Sequence, residues 1–202
     1  MTVSDTRKQE GISYPFETRP ETGESMPVVP GIVWLRSPLP FKLDHINLWL
    51  LEDSDGWTVA DTGVCFDGAK AAWHKAFDGP MAGRPVDRIV VTHLHPDHIG
   101  CAGWLSETFD APLWMTRGEY LLCRVLVADT GRATPEAGNR FYRGAGFPPE
   151  AMDYYHKMFG MFGKYVSPVP EAYRRLQDGD CFEIGPDQWQ VIIGRGHSPE
   201  HA

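Results

Sequence analysis

Residues 88–98 read Arg-Ile-Val-Val-Thr-His-Leu-His-Pro-Asp-His, an apolar β-branched run that discharges into His93, His95, Asp97 and His98. Imidazole and carboxylate are the ligands that Zn, Fe(II) and Mn share, so this loop brings four candidate ligands to one place. In extended backbone, residues two apart project to the same side, which lets His93 and His95 grip one ion. Asp97 and His98 lie beyond Pro96, turn into the following helix, and face a second ion beside the first. With 8 histidines among 202 residues, such a spacing arises by chance in fewer than roughly one chain in a thousand. The competing reading is a solvated polar loop with accidental histidines. It sits poorly with the apolar strand before it and with a place at a strand's carboxyl end, where α/β proteins bind ligands.

Working outward, Asp67–Asp78 is the clearest helix, because Ala69, Ala72, Trp73, Ala76 and Phe77 recur at helical spacing before Gly79-Pro80. Strands are predicted at Gly31–Arg36, Ile46–Glu52 and Trp57–Ala60, the last two joined by the hairpin turn Asp53-Ser54-Asp55-Gly56. Arg88–Thr92 reads as a buried strand, and Ile99, Ala102, Leu105 and Phe109 predict a helix after the histidine loop. Further strands are predicted at Pro112–Met115, Cys181–Ile184 and Trp189–Ile193. Helices are predicted at Arg117–Ala128 and Pro149–Lys164, with Phe141–Pro148 as a connection. Met1–Pro30 is polar and proline-spotted and reads as an arm, leaving residues 31–202 as one domain. Strands alternating with helices argue for a layered α/β fold.

Composition narrows the function. A formal net charge of −8 opposes a phosphate backbone, so nucleic acid is excluded as partner and a small-molecule substrate is favoured. Cys65, Cys101, Cys123 and Cys181 form no CxxC pair and read as free thiols of a reducing compartment. No apolar run reaches the ~18 residues of a membrane span, and no signal-like apolar segment opens the sequence, so a cytoplasmic protein without membrane contact is expected. A homodimer is left open.

His93-x-His95-x-Asp97-His98 resembles the HxHxDH signature of the metallo-β-lactamase-fold hydrolases. Ala60-Asp61-Thr62-Gly63 looks like the family's first motif, and Gly196-His197-Ser198-Pro199-Glu200-His201 like its third. The resemblance implies the αββα four-layer sandwich. It makes His93, His95 and His197 ligands of a first metal and Asp97 and His98 ligands of a second, with Asp97 also orienting the attacking water. Asp61 becomes the partner that orients ligating groups, a role with a physical reason, since a ligating imidazole needs its other N–H held. The implied cofactor is one or two Zn2+ ions, with Fe or Mn as alternatives. The implied activity is attack of a metal-held hydroxide on a small ester, lactone or thioester, with glyoxalase II and lactonases as the most similar branches. The alternatives are an iron-dependent oxidoreductase resembling persulfide dioxygenases, or an inactive metal-binding fragment. The family's bridging aspartate and last histidine lie downstream of the third motif, so the resemblance implies that only the N-terminal part of the sandwich is present.

The remaining histidines, His45, His74 and His156, have no second candidate ligand beside them and read as surface or satisfied polar residues. His201 reads as a contact within its turn, and Cys101 as a small apolar helix position. Tyr154, Tyr155, Met158, Phe159, Met161, Phe162 and Tyr165 fall on more than one face of a single helix, which predicts cover on several sides. The segment 117–173 is therefore a candidate lid over the metal loop, with core or a dimer contact as the alternative.

Overall fold

Antiparallel pairing carries the chain through its first four strands, β1 (Ser25–Val29), β2 (Ile32–Pro38), β3 (His45–Glu52) and β4 (Trp57–Ala60). The structure is a computed structural model and describes residues 15–202. The turn between β3 and β4 closes as its composition predicts. Asp53 N–H donates to the Gly56 carbonyl at 3.0 Å, and Ser54 N–H donates to the Asp53 carboxylate at 2.9 Å.

From β4 to β7 each strand runs parallel to the one before it, and a parallel pair needs a crossover that a helix supplies. α1 (Asp67–Asp78) leads to β5 (Val86–Val90). α2 (Pro96–Ile99) and α3 (Ala102–Phe109) lead to β6 (Leu113–Thr116). α4 (Arg117–Ala128), α5 (Glu136–Gly144), α6 (Pro149–Met158) and a 3-10 turn at Phe162–Lys164 lead to β7 (Arg174–Leu176). The seven strands lie side by side in chain order, and a hairpin of β8 (Cys181–Ile184) and β9 (Asp187–Gln190) follows.

The two faces of the sheet are covered unequally. Leu35, Leu48, Leu50, Val59, Ile89, Leu113 and Met115 pack with Ala69, Ala72, Trp73 and Ala76 of α1 and with Leu105 of α3 in the main core. Trp73 lies fully inside and donates its indole N–H to the Thr62 carbonyl at 2.9 Å, which pins α1 to the loop after β4. Alternation along β6 sends Trp114 to the opposite face. There it meets Leu176, Val191, Val90 and Phe182 in a second, small cluster under the β8–β9 hairpin. The α/β architecture is therefore as expected, with α1, α3 and α4 packed on one face and the β8–β9 hairpin on the other. No helix among the described residues is long and apolar enough to cross a membrane.

Several local expectations are corrected. Of the arm predicted at residues 1–30, residues 1–14 lie outside the described residues, while Ser25–Val29 forms the edge strand β1 on β2. Its intermediate burial and two prolines nearby hide it from an alternation test. The connection predicted from Phe141 is instead preceded by a real helix, α5, with no buried residue. The single helix predicted over Pro149–Lys164 ends at Met158. Phe159 is extended, and Gly160 takes a φ of +70° while its carbonyl accepts from Gly131 N–H at 2.8 Å. Cover on several sides is therefore not required: α6 buries only Met152, and Tyr154 is 66% exposed. The last strand lies earlier than Trp189–Ile193, because the tight turn at Gly185 pairs Asp187–Gln190 with β8. β7 escapes the sequence reading, because Arg-Arg-Leu has neither an apolar run nor alternation.

Candidate metal centre

Three loops meet at the carboxyl ends of β4, β5 and β6. Past β5, Val91 N–H still pairs with the Trp114 carbonyl at 2.9 Å, and Thr92 then leads out of the sheet into His93. Pro96 occupies the first turn of α2, where its missing N–H costs nothing, and turns Asp97 and His98 inward. Asp61 follows β4 with a φ of +60°, a left-handed conformation that aspartate tolerates better than most residues. The next residue, Thr62, donates both its N–H and its hydroxyl to the His98 carbonyl, each at 2.7 Å. The third loop is closed by Gly194 pairing with His201, and Ala202 N–H donates to the Thr92 carbonyl at 3.0 Å.

The Asp61 turn and the α2–α3 junction touch at Gly100. A Cβ there would collide with the carbonyls of Gly63 and Pro96 and with the Cys65 nitrogen. Gly100→Ala is therefore expected to force the histidine loop away from the Asp61 turn at a cost of about 1–3 kcal/mol. Thermal denaturation should show a Tm lower by about 2–12 °C for a chain of this size; an unchanged Tm would mean the two loops separate freely.

His93 Nε2, His95 Nδ1 and His197 Nε2 form a triangle with edges of 3.0, 3.0 and 3.2 Å. At Zn–N distances of about 2.0–2.1 Å, tetrahedral coordination places nitrogens roughly 3.3–3.4 Å apart, so the triangle is close to one face of a metal-ligand tetrahedron. Hydrogen bonds among the rings satisfy at most two of the three edges, because three converging nitrogens of neutral imidazoles always leave one edge with two hydrogens or two lone pairs. Thr92 has one hydroxyl hydrogen, and its oxygen lies 2.9 and 3.1 Å from the two Asp61 carboxylate oxygens, which can only accept. The same oxygen lies 2.9 Å from His93 Nδ1 and must accept from it. His93 thus carries its proton on Nδ1 and aims a lone pair from Nε2 at the other two nitrogens, an arrangement that a cation completes.

Asp61 orients a second ring directly. His98 Nδ1 lies 2.8 Å from Asp61 Oδ2, leaving His98 Nε2 facing Asp97 Oδ2 at 3.5 Å. Asp97 and His98 therefore stand together beside the three-histidine triangle and outside it, with the His98 ring centroid 3.9 Å from that of His93. Asp61 is buried and also accepts from Thr92 N–H at 2.8 Å, so one carboxylate supports both groups.

Electrostatics separates the two groups. Burial, reinforced by the neighbouring His98, His201 and His95 rings, pushes His93 down to about 3; burial and His197 lower His95. Both are held in the neutral form that binds metal. Burial also disfavours the charge on His98, but hydrogen bonds to Asp61 and Asp97 outweigh it and raise that ring to about 9. For Asp97 the upward effect of burial is outweighed by its hydrogen bond and attraction to His98, and its carboxyl lies below the usual range.

The other histidines have different partners. His201 stacks on His93 with centroids 4.4 Å apart and is not one of the converging nitrogens. His45 pairs with Asp44 and Arg36, His74 meets Phe77 and Trp104 edge-on, and His156 meets Asn139. All four cysteines are free, with Cys101 buried and its thiol 3.4 Å from the Val64 carbonyl. Two polar residues of the centre escape the sequence reading. Thr92 reads only as the end of a strand, although it directly precedes His93. Glu119 is fully buried in α4 and contacts two of the loops.

Known proteins give the same picture. The model of the Metallo-beta-lactamase superfamily matches residues 42–202. A beta-lactamase domain protein from Burkholderia ambifaria is 43% identical with a TM-score of 0.80, over 93% of this chain and 54% of that one. A metallo-beta-lactamase family protein from Thermus thermophilus is 27% identical with a TM-score of 0.68, over 87% of this chain and 55% of that one. A probable metallo-hydrolase from Bacillus subtilis (strain 168) is 33% identical over 85 residues, which are 39% of this chain and 36% of that protein. The chain thus spans about half the length of the solved relatives. With three converging imidazoles on loops at the strand ends and a family match over most of its length, the chain belongs to the metallo-β-lactamase superfamily.

Proposed function

We propose that the chain is a metal-dependent hydrolase acting on a small ester, lactone or thioester, with Zn2+ as its metal. The observation that carries this reading is the triangle of His93, His95 and His197 nitrogens, with the His93 lone pair aimed inward by Thr92. His93, His95 and His197 would hold a first ion, and Asp97 with His98 a second. A bound divalent metal supplies a water acidified toward neutral pH and polarises the substrate's acyl oxygen. Asp97, partly exposed beside the triangle, would orient that water toward the acyl carbon. Asp61 would keep His93, through Thr92, in the tautomer that presents a lone pair, and would hold the Nδ1 hydrogen of His98 so that Nε2 is the nitrogen left for an ion once its proton is displaced. The acidic net charge disfavours polyanionic substrates, and the name of the Bacillus subtilis relative, a probable metallo-hydrolase, supports hydrolysis.

The test is elemental analysis of the purified chain, followed by hydrolysis of a panel of aryl esters, lactones and acyl thioesters after metal restoration. Bound zinc with thioester or lactone turnover supports the reading. Bound iron with oxidation of a persulfide would replace hydrolysis by oxidoreductase chemistry.

Selection among acyl groups falls, in this proposal, to the segment 117–173. Its end is tied to the centre through Tyr165, whose carbonyl accepts from Cys65 N–H at 2.9 Å. Ser167 adds a second tie, donating both its N–H and its hydroxyl to the Gly100 carbonyl at 2.7 Å. Alanine at Met158 and Phe162 is expected to raise KM for long acyl chains roughly tenfold relative to short ones. Unchanged selectivity would remove the segment from substrate recognition.

A further inference from the structure

We propose that Glu119 is a positioning residue for the metal centre, locking together the two loops that carry His93, His95 and His197. This rests on the reading of those histidines as metal ligands. The Glu119 side chain is fully buried, and each of its oxygens accepts from a different loop. Oε2 accepts from Leu94 N–H at 2.9 Å, and Oε1 from Glu200 N–H at 2.6 Å. Leu94 stands between His93 and His95, and Glu200 follows His197 by three residues. A single planar carboxylate therefore sets the separation of loops whose ligands lie 104 residues apart in sequence.

The local alternative is a helix cap. Thr116 precedes α4 and Glu119 is its third residue, the pattern of a capping box, in which the two side chains would bond each other's backbone N–H groups. Neither does. The Thr116 hydroxyl donates to the Glu200 carbonyl at 2.9 Å, and Glu119 turns inward. Glu200 takes over the cap, its Oε2 accepting from Gly118 N–H at 2.7 Å. Glycine at 118 leaves room for this, since a Cβ there would stand 2.9 Å from Glu200 Oε2. A glutamate used only as a cap stays in water, because burying a carboxylate is costly unless strong hydrogen bonds offset it. Here the offsetting bonds all come from the ligand loops.

Glu119→Gln keeps the volume but turns an NH2 group toward one of the two N–H donors, so one tie is lost. Co2+ affinity, measured against a competing chelator, is expected to fall roughly 10–100-fold, with a changed visible absorption band. The Tm of the metal-free form should shift by only a few degrees. A core truncation in β3, Leu50→Ala, should lower that Tm further yet leave Co2+ affinity within about twofold, because distant sites act independently. Co2+ binding by folded Glu119→Gln that matches the unaltered protein would overturn the proposal. Should Glu119→Gln fail to fold, amide exchange of the unaltered metal-free chain decides. Protection of both Leu94 and Glu200 N–H at the level of β5 supports the clamp, and free exchange of both overturns it. If the unaltered chain binds no Co2+, the hydrolase reading fails, while the exchange result still decides whether Glu119 joins the loops.

Discussion

A His93→Ala, His95→Ala variant is expected to lose the metal of the three-histidine site while the unaltered chain retains it, as read by elemental analysis after dialysis. The two rings contribute two of the three converging nitrogens, and His197 alone offers a single exposed imidazole with no fixed partner geometry. Stability should report the same loss. A ligand present at a thousand times its Kd stabilises the folded state by about 4.1 kcal/mol, which raises the Tm of a chain of this size by about 8–16 °C. That rise is expected on adding Zn2+ to the unaltered protein and should vanish in the variant. Hydrolysis of the preferred ester or thioester should fall to the buffer rate. A variant that keeps its full metal content would place the ion elsewhere and break the link between the histidine loop and function.

Asp61→Asn is expected to weaken metal binding roughly 10–100-fold with little change in fold. Asparagine tolerates the φ of +60° as aspartate does, so the backbone of the turn is retained. Hydrogen-bond polarity is what changes. The amide oxygen can still accept from Thr92 N–H, but its NH2 group then faces the Thr92 hydroxyl and His98 Nδ1, where Oδ2 accepted before. Thr92 would accept from the amide and donate to His93 Nδ1, moving the His93 proton to Nε2 and into the centre of the triangle. His98, raised to about 9 and so carrying both hydrogens at neutral pH in the unaltered protein, would lose the carboxylate that holds its Nδ1 hydrogen and keep the one on Nε2, the nitrogen that faces Asp97. Both rings would thus be held in tautomers that repel a cation, while each polar group keeps a partner, so the stability cost stays near ~1 kcal/mol. Competition titration with a zinc chelator reads the affinity, and 15N chemical shifts of the imidazoles read the tautomers. Asp61→Ala should be worse on stability, since it orphans Thr92 and adds about 1–2 kcal/mol of left-handed backbone strain. Unchanged zinc affinity in Asp61→Asn would reduce Asp61 to a turn residue.

Much of the centre is legible in the sequence, because its information is local. His93 and His95 share a side by the two-residue period of extended backbone, Pro96 turns the chain, and Asp97 and His98 follow within two residues. α1 and β4 were equally legible, since the buried positions Ala69, Ala72, Trp73 and Ala76 recur at helical spacing and Trp57–Ala60 is flanked by turn residues. Elements without a period were not: β7 is three mostly polar residues, β1 is half-buried, and the end of α6 depends on Gly160 packing against Gly131 and Arg132. The sequence by itself determined which residues can bind a metal and which loop carries most of them. Tertiary structure brings His197 beside His93 and His95, as the likeness of the third motif implies, and it alone decided that Thr92 and Asp61 set the His93 tautomer and that Glu119 abandons its helix cap to span two loops. The physical reason is that a ligand's identity is written in one residue, whereas the direction of its lone pair is set by partners the chain brings back from far away.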